Sequence, residues 1–285
     1  MAITTDVTVP ARTIKHARTA PRARRGLRAD FAPHTWHWRL ITPLAIVAIW
    51  QILSVTGVLP ASVLAAPSQI VRTFGSLISD GTLPSALWTS VQRAFWGFLL
   101  GAAIAVLLGL LAGLTRVGDA IIDPPMQMIR TVPLLGIVPL FIIWFGIGEV
   151  PKVLIVALGV AIPLYLNLVS ALRSIDPHLY DVADTLRLTP GERVRTILLP
   201  GALPGTLVGV RQALGFAWLA LIVAEQISAS SGLGFMINNA RDFLQTDTIV
   251  VGLLTYAALG LITDGAVRVA ERRALRWRDA SGVSA

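Results

Sequence analysis

Six apolar runs, each about as long as a bilayer is thick, constrain this chain more than anything else in it. They cover residues 40–57, 91–114, 127–147, 152–172, 204–226 and 248–267. A hydrocarbon core of about 30 Å takes about 20 apolar residues as a helix. In lipid every backbone N–H and C=O must be satisfied within the segment, which leaves helices or closed barrels. The runs are continuous rather than alternating, so the chain reads as an all-α, polytopic membrane protein with about six transmembrane helices. Its 54% hydrophobic and 14% charged residues agree, since a soluble domain carries about 25% charged residues. The third run holds Pro124, Pro125, Pro133 and Pro139 and is expected to kink or to start late.

The sequence has no cysteine, which excludes disulfides, thiolate metal sites and cysteine nucleophiles. His34 and His37 have helical spacing but no third ligand nearby, so no metal site is expected. With Trp36 and Trp38 they read as an interfacial aromatic belt. The net charge of +8 does not point to nucleic acid, because the basic residues cluster beside the apolar runs. Eighteen Lys and Arg fall on one side if the N-terminus is cytoplasmic, from Arg12 to Arg39, at Arg116, Arg173, Arg187, Arg193 and Arg195, and from Arg268 to Arg278. Only Arg72, Lys152 and Arg241 fall on the other. The excess of positive charge inside places both termini in the cytoplasm. Arg93, Arg130 and Arg211 lie inside or at the ends of runs.

Within the second run Gly97, Gly101, Ala105, Gly109 and Gly113 recur every four residues, and Gly205 and Gly209 repeat the pattern in the fifth. Such stripes let helices approach closely, and packing within the chain is the expected use. Charges inside runs are costly. Arg211 and Asp264 can snorkel to an interface. Arg130 and Glu225 are the candidate intramembrane polar contacts, with a structural ion pair or cap favoured over contact with a substrate.

Residues 176–200 interrupt the apolar pattern. Asp176 then Pro177 is a helix start, and Leu179, Val182, Ala183 and Leu186 form an apolar stripe. Asp181 and Asp184 near the start and Arg187 at the end suit the helix dipole. Thr189 and Glu192 are spaced as a capping box, with Pro190 at the first helical position. Val194, Ile197 and Leu198 carry the second apolar face, and Pro200 and Gly201 are expected to stop it. Two short amphipathic helices beside a membrane either lie on its surface or fill a groove in a soluble partner.

The segment resembles the cytoplasmic loop signature of bacterial ABC importer permeases: Glu-Ala-Ala, three residues, Gly, nine residues, Ile, one residue, Leu-Pro. Asp181 stands at the Glu position, Val182 and Ala183 at the Ala positions, Arg187 at the Gly position, and Ile197, Leu199 and Pro200 at the last three. Asp, Val and Arg depart from the pattern; with Arg in place of Gly, the turn is expected to shift towards Thr189, Pro190 and Gly191. Runs such as IIDPPMQMIRTVPLLGIVPLFIIWFGIGE and LLPGALPGTLVGVRQALGFAWLALIVAE are similar to the nitrate, sulfonate, taurine and bicarbonate branch, the aliphatic sulfonate permeases above all.

The resemblance implies a type I importer permease (MetI-like) fold in the bacterial inner membrane, working as a homodimer. It implies a cytoplasmic ATP-binding subunit and an extracytoplasmic solute-binding protein as partners, with lipid around the spans. The cargo would be a small anion, an aliphatic sulfonate first, then taurine or nitrate. Asp181, Val182, Ala183, Arg187, Gly191, Ile197, Leu199 and Pro200 would form the contact with the ATPase. Organisation follows: residues 1–35 a disordered basic tail, 36–278 the permease domain with coupling helices at 177–199, and 279–285 a short tail. No GxxxxGK precedes a Ser or Thr, so ATP and Mg belong to the partner and the chain binds no cofactor and is no enzyme. A secondary transporter would show internal repeats and mid-bilayer acids, and an intramembrane enzyme a polar constellation within its runs; neither is present.

Overall fold

The structure, a computed structural model, describes residues 36–279. The expected disordered tail, the terminal segment and the side chains of the proposed aromatic belt lie outside the described residues. Contacts divide the chain after Ile46. Residues 36–46 are the first turns of α1 (Trp36–Val55), and the architecture below is that of residues 47–279.

All described elements are helical. After α1 come α2 (Pro67–Ser79), α3 (Thr82–Leu114), α4 (Arg116–Ile129), α5 (Leu134–Phe145) and α6 (Glu149–Arg173). The short α7 (His178–Thr185) and α8 (Pro190–Arg193) precede α9 (Leu199–Ser228), α10 (Leu233–Asp242), α11 (Thr246–Ala274) and α12 (Arg276–Asp279). Among the described residues four helical stretches are long and apolar enough to cross a membrane: Thr82–Leu114, Glu149–Arg173, Pro190–Ile227 and Thr246–Ala274.

Helix α6 is the buried axis. Ile155, Val156, Val160, Leu164 and Tyr165 are at most 1% exposed, with α3 on one side and α9 on another. The glycine stripe makes the first contact. A β-carbon added at Gly97 would sit 2.5 Å from Val156 Cβ, at Gly101 2.3 Å from the Ala157 carbonyl oxygen, and at Gly113 2.5 Å from Leu172 Cδ1. Only hydrogen fits such gaps, so the stripe serves packing within the chain. The partners rise together along both sequences, so α3 and α6 run parallel. Gly205 against Ala171, Gly209 against Asn167, and Ala220 against Gly159 run in opposite order, so α9 is antiparallel to α6. Trp218 Nε1 donates to Thr263 Oγ1 at 3.2 Å, and Tyr256 Oη to Glu225 at 2.9 Å, which sets α11 antiparallel to α9.

Two parallel helices consecutive in the bundle require the chain between them to return. That is the task of α4 and α5. Asp119 pairs with Arg173, and Tyr165 Oη donates to Asp123 at 3.0 Å, so α4 already climbs back along α6. The kink or late start expected of the third run, 127–147, takes the form of a break, with two helices meeting at 103°. Pro133 causes the break. It sits as the N-cap of α5 with φ −66° and ψ 122°, has no N–H for a helical bond, and disfavours helix in the residue before it. The 12 residues of α5 span about 18 Å, less than a bilayer core. With α1, this broken pair accounts for the six runs. Arg211 and Asp264, expected to snorkel separately, instead pair across α9 and α11 at 2.5 Å, with Arg268 as a second partner at 2.5 Å.

Replacing Gly101 by Val should force α3 and α6 apart, at a cost of about 1–3 kcal/mol from overpacking. Thermal unfolding of the purified protein in detergent checks this, with Gly75→Val as control, where an added β-carbon meets nothing within 4 Å.

Candidate functional site

The segment between α6 and α9 is the first candidate. The Asp176 carboxylate accepts from the His178 N–H at 2.9 Å, so Asp176 anchors the start of α7 as the sequence suggests, although Pro177 takes the N-cap position. At the other end the Arg187 N–H bonds the Asp184 carbonyl and the Leu188 N–H the Ala183 carbonyl, each at 3.0 Å. This double closure ends a helix on a left-handed residue, and Arg187 has φ +52°. The expected shift of the turn towards Gly191 has therefore not taken place. Arg187 adopts the glycine-like conformation at the position where the signature carries Gly, at a cost of about 1–2 kcal/mol.

The second helix begins as expected. Thr189 and Glu192 form a reciprocal capping box with Pro190 in the first turn, and Arg193 pairs with Asp184 of α7. It does not stop at Pro200 and Gly201. Residues Val194–Leu198 widen into a π turn, with the Leu199 N–H bonding the Val194 carbonyl, and the chain runs on into α9. Pro200 falls in the first positions of α9, where the extra residue of the wider turn absorbs its missing donor.

Within the expected contact set the residues divide by exposure. Ala183 is wholly buried, and Ile197 is half-buried beside Leu168, Leu172 and Ile175. Asp181, Arg187, Gly191 and Leu199 are exposed, and Pro200 is half-buried. His178 Nδ1 lies 3.6 Å from Asp181. Leu179, Val182 and Leu186 are 44%, 52% and 65% exposed, so the predicted stripe splits: Ala183 faces the bundle while three large apolar side chains face out.

The second candidate lies at the opposite end of the bundle. Glu225, 1% exposed, accepts from Arg93 Nη1 at 2.7 Å, from the Gly234 N–H at 2.8 Å and from Tyr256 Oη at 2.9 Å, with Ser90 Oγ 2.8 Å from both carboxylate oxygens. Arg93 holds Glu149 in a two-pronged pair at 2.6 and 2.7 Å and reaches the Ser231 carbonyl at 2.7 Å. Lys152, also buried, joins Glu149 at 3.0 Å. Gly232 has φ +105°, and a β-carbon there would lie 2.4 Å from Glu225 Oε1; the loop closes over the carboxylate only because it is glycine. One network, buried at Arg93, Lys152 and Glu225 and exposed at Glu149, thus ties α3, α6, α9, α11 and the start of α10 with the loop before it. Removing one member of such a pair costs about 3–5 kcal/mol.

The sequence singled out Glu225 but not Arg93, Glu149 or Lys152. A usable signal was there: Ser90 and Arg93 are polar residues one turn apart at the start of an apolar run. Arg130, the other candidate, caps the C-terminus of α4 and does not meet Glu225. It lines a cavity of about 320 Å³ with Leu134, Ile137, Ile162, Gln212 and Phe216.

The model of the family described as "binding-protein-dependent transport system inner membrane component" matches residues 105–276. The chain belongs to this family. A Bacillus subtilis protein that carries the name aliphatic sulfonates transport permease protein is 44% identical over 86% of this chain and 88% of its own length. A like-named protein of Escherichia coli is 44% identical over 84% of this chain and 90% of its own. A solved amino acid ABC transporter is 16% identical, covers 70% of this chain and 98% of its own, and has a TM-score of 0.59, a likeness of fold. As a member of the binding-protein-dependent transport family the chain is a multi-pass membrane permease.

Arg187→Gly should relieve the left-handed strain and raise stability by up to about 1 kcal/mol, after the entropy that glycine adds to the unfolded chain. Arg187→Val should lower it by about 1–2 kcal/mol. Amide exchange at Arg187 and Leu188 in the detergent-solubilised protein reads both changes.

Proposed function

We propose that the chain is the permease subunit of an ABC importer that carries an aliphatic sulfonate inward, driven by a separate ATPase that docks on α7 and α8. The observation that carries the docking is the outward apolar face of Leu179, Val182 and Leu186, on a helix whose ends are fixed by its own caps. A helix so fixed offers its face to a groove without loss of further backbone entropy. Asp181, Arg187 and Gly191 surround that face as polar contacts.

The helix directions support the sidedness read from the sequence. Arg116, Arg173, Arg193, Arg195, Arg268, Arg272 and Arg273 stand at or near the ends of α3, α6, α9 and α11 that meet the 176–200 segment. Positive charge marks the cytoplasmic side, so this end faces the ATPase, and the Glu225 network faces the solute-binding protein. The described residues hold one set of spans, so a second copy completes the pathway. Closure of two ATPases on ATP then moves α7 and α8, and through the continuous helix from Pro190 to Ile227 displaces α9 relative to α6. The sulfonate cargo is taken from the two relatives that share 44% of their residues with this chain.

With the permease, ATPase and solute-binding protein reconstituted in proteoliposomes, Val182→Asp and Leu186→Asp should each lower uptake of labelled ethanesulfonate and the ATP hydrolysis coupled to it by tenfold or more. The amount of inserted permease should stay the same. Unchanged uptake contradicts the docking; uptake of nitrate or taurine in preference to ethanesulfonate contradicts the cargo.

A further inference from the structure

Three arginines lie within the apolar runs, and two of them are neutralised. Arg93 holds Glu149 and Glu225, and Arg211 holds Asp264. Arg130 is the third, and among the described residues no carboxylate lies within ion-pair distance of it. The nearest acid in sequence, Asp123, is engaged by Tyr165 and lies 3.9 Å from Arg173. Arg130 is exposed at the C-terminal end of α4, so its guanidinium is open to a ligand that enters the space beside it.

Its surroundings are those of a binding cavity. The space of about 320 Å³ opens at the break between α4 and α5, against α6 and α9, and Ile137, Ile162, Leu134 and Phe216 give it mostly apolar walls. Ligand sites combine such walls with a few placed polar groups. Here Gln212 is one of them. Its Oε1 accepts from Asn167 Nδ2 at 2.9 Å, which holds the amide in place and leaves Nε2 as a donor with no partner among the described residues. The start of α5 has no side-chain cap, and Leu134, its first residue, lines the same cavity. A guanidinium and an amide donor with no acid, beside apolar walls, suit an anion that also has an apolar part.

We propose that this cavity binds an amphiphilic anion on its way through the permease, with Arg130 and the Gln212 amide on the headgroup and Ile137, Ile162 and Phe216 along the tail. The guanidinium fork matches a planar pair of headgroup oxygens. The site rests on the anion-permease reading above and adds to it a place for the cargo inside this chain.

The test uses the reconstituted complex of permease, ATPase and solute-binding protein, with labelled ethanesulfonate and hexanesulfonate as probes. Arg130→Gln should cut uptake of both by tenfold or more, and Arg130→Lys by less, since it keeps charge but loses the fork. Ile137→Trp, which keeps Arg130 and fills the apolar end, should lower hexanesulfonate uptake at least fivefold more than ethanesulfonate uptake. ATP hydrolysis stimulated by the solute-binding protein should stay within twofold of the original in all three. Uptake by Arg130→Gln within twofold of the unaltered complex overturns the site, as does loss of ATP hydrolysis in step with uptake, which marks a structural role. An unchanged ratio of the two probes in Ile137→Trp overturns the placing of the tail. An unaltered complex that carries nitrate but neither sulfonate overturns the cargo reading itself, an outcome separate from failure of the variants.

Discussion

The contact between α3 and α6 decides the rest of the architecture. Glycine at 97, 101, 109 and 113 brings the two helices to a distance at which any larger residue would collide with Val156, Ala157, Leu168 or Leu172. In lipid there is little hydrophobic gain from helix association, so close packing of this kind supplies the attraction. Because the two helices are parallel, the chain between them has to travel back through the bundle, and α4 and α5 exist in their broken form to do so. The buried pair of Arg93 and Glu225, with the exposed Glu149 as a second partner of Arg93, closes the same helices at one end, where buried charges that are partnered fix one arrangement.

The runs were legible because burial in lipid leaves a strong imprint: about 20 apolar residues cannot be hidden in a sequence. The capping box at Thr189 and Glu192 was legible for a different reason, since both partners are local and their spacing is fixed by the helix. Two features were not. The third run looked like one span with a kink, because hydropathy reports apolar length and not direction, and only the position of Pro133 against α6 sets the 103° break. The pairing of Glu225 with Arg93 is set by helix order and depth, which a single sequence does not carry; Arg130 was an equally good partner by charge alone.

Arg187 shows a subtler limit. The signature's glycine suggested that a bulkier residue would move the turn, yet the turn stays and Arg187 takes φ +52°. The two hydrogen bonds that end α7, together with the Arg193 to Asp184 pair and the Thr189 cap, outweigh about 1–2 kcal/mol of local strain. What persists is a rigid helix pair with an apolar face turned outward at the basic end of the bundle. A surface helix that only rested on lipid would have no need of such fixed ends, whereas a groove in a partner rewards them. The break at Pro133 and the cavity beside Arg130 lie between the elements that this helix pair would move.

The central claim is that α7 meets a protein and not the membrane surface, and site-specific photo-crosslinking tests it directly. A benzophenone side chain placed at Leu186 in cells that carry the permease and its ATPase should yield an adduct of the two subunits, with a yield that changes when ATP is bound. The same probe at Ile143, an exposed apolar position on α5, should give none. Adducts with lipid alone at Leu186, or equal capture of the ATPase from Ile143, would contradict the account.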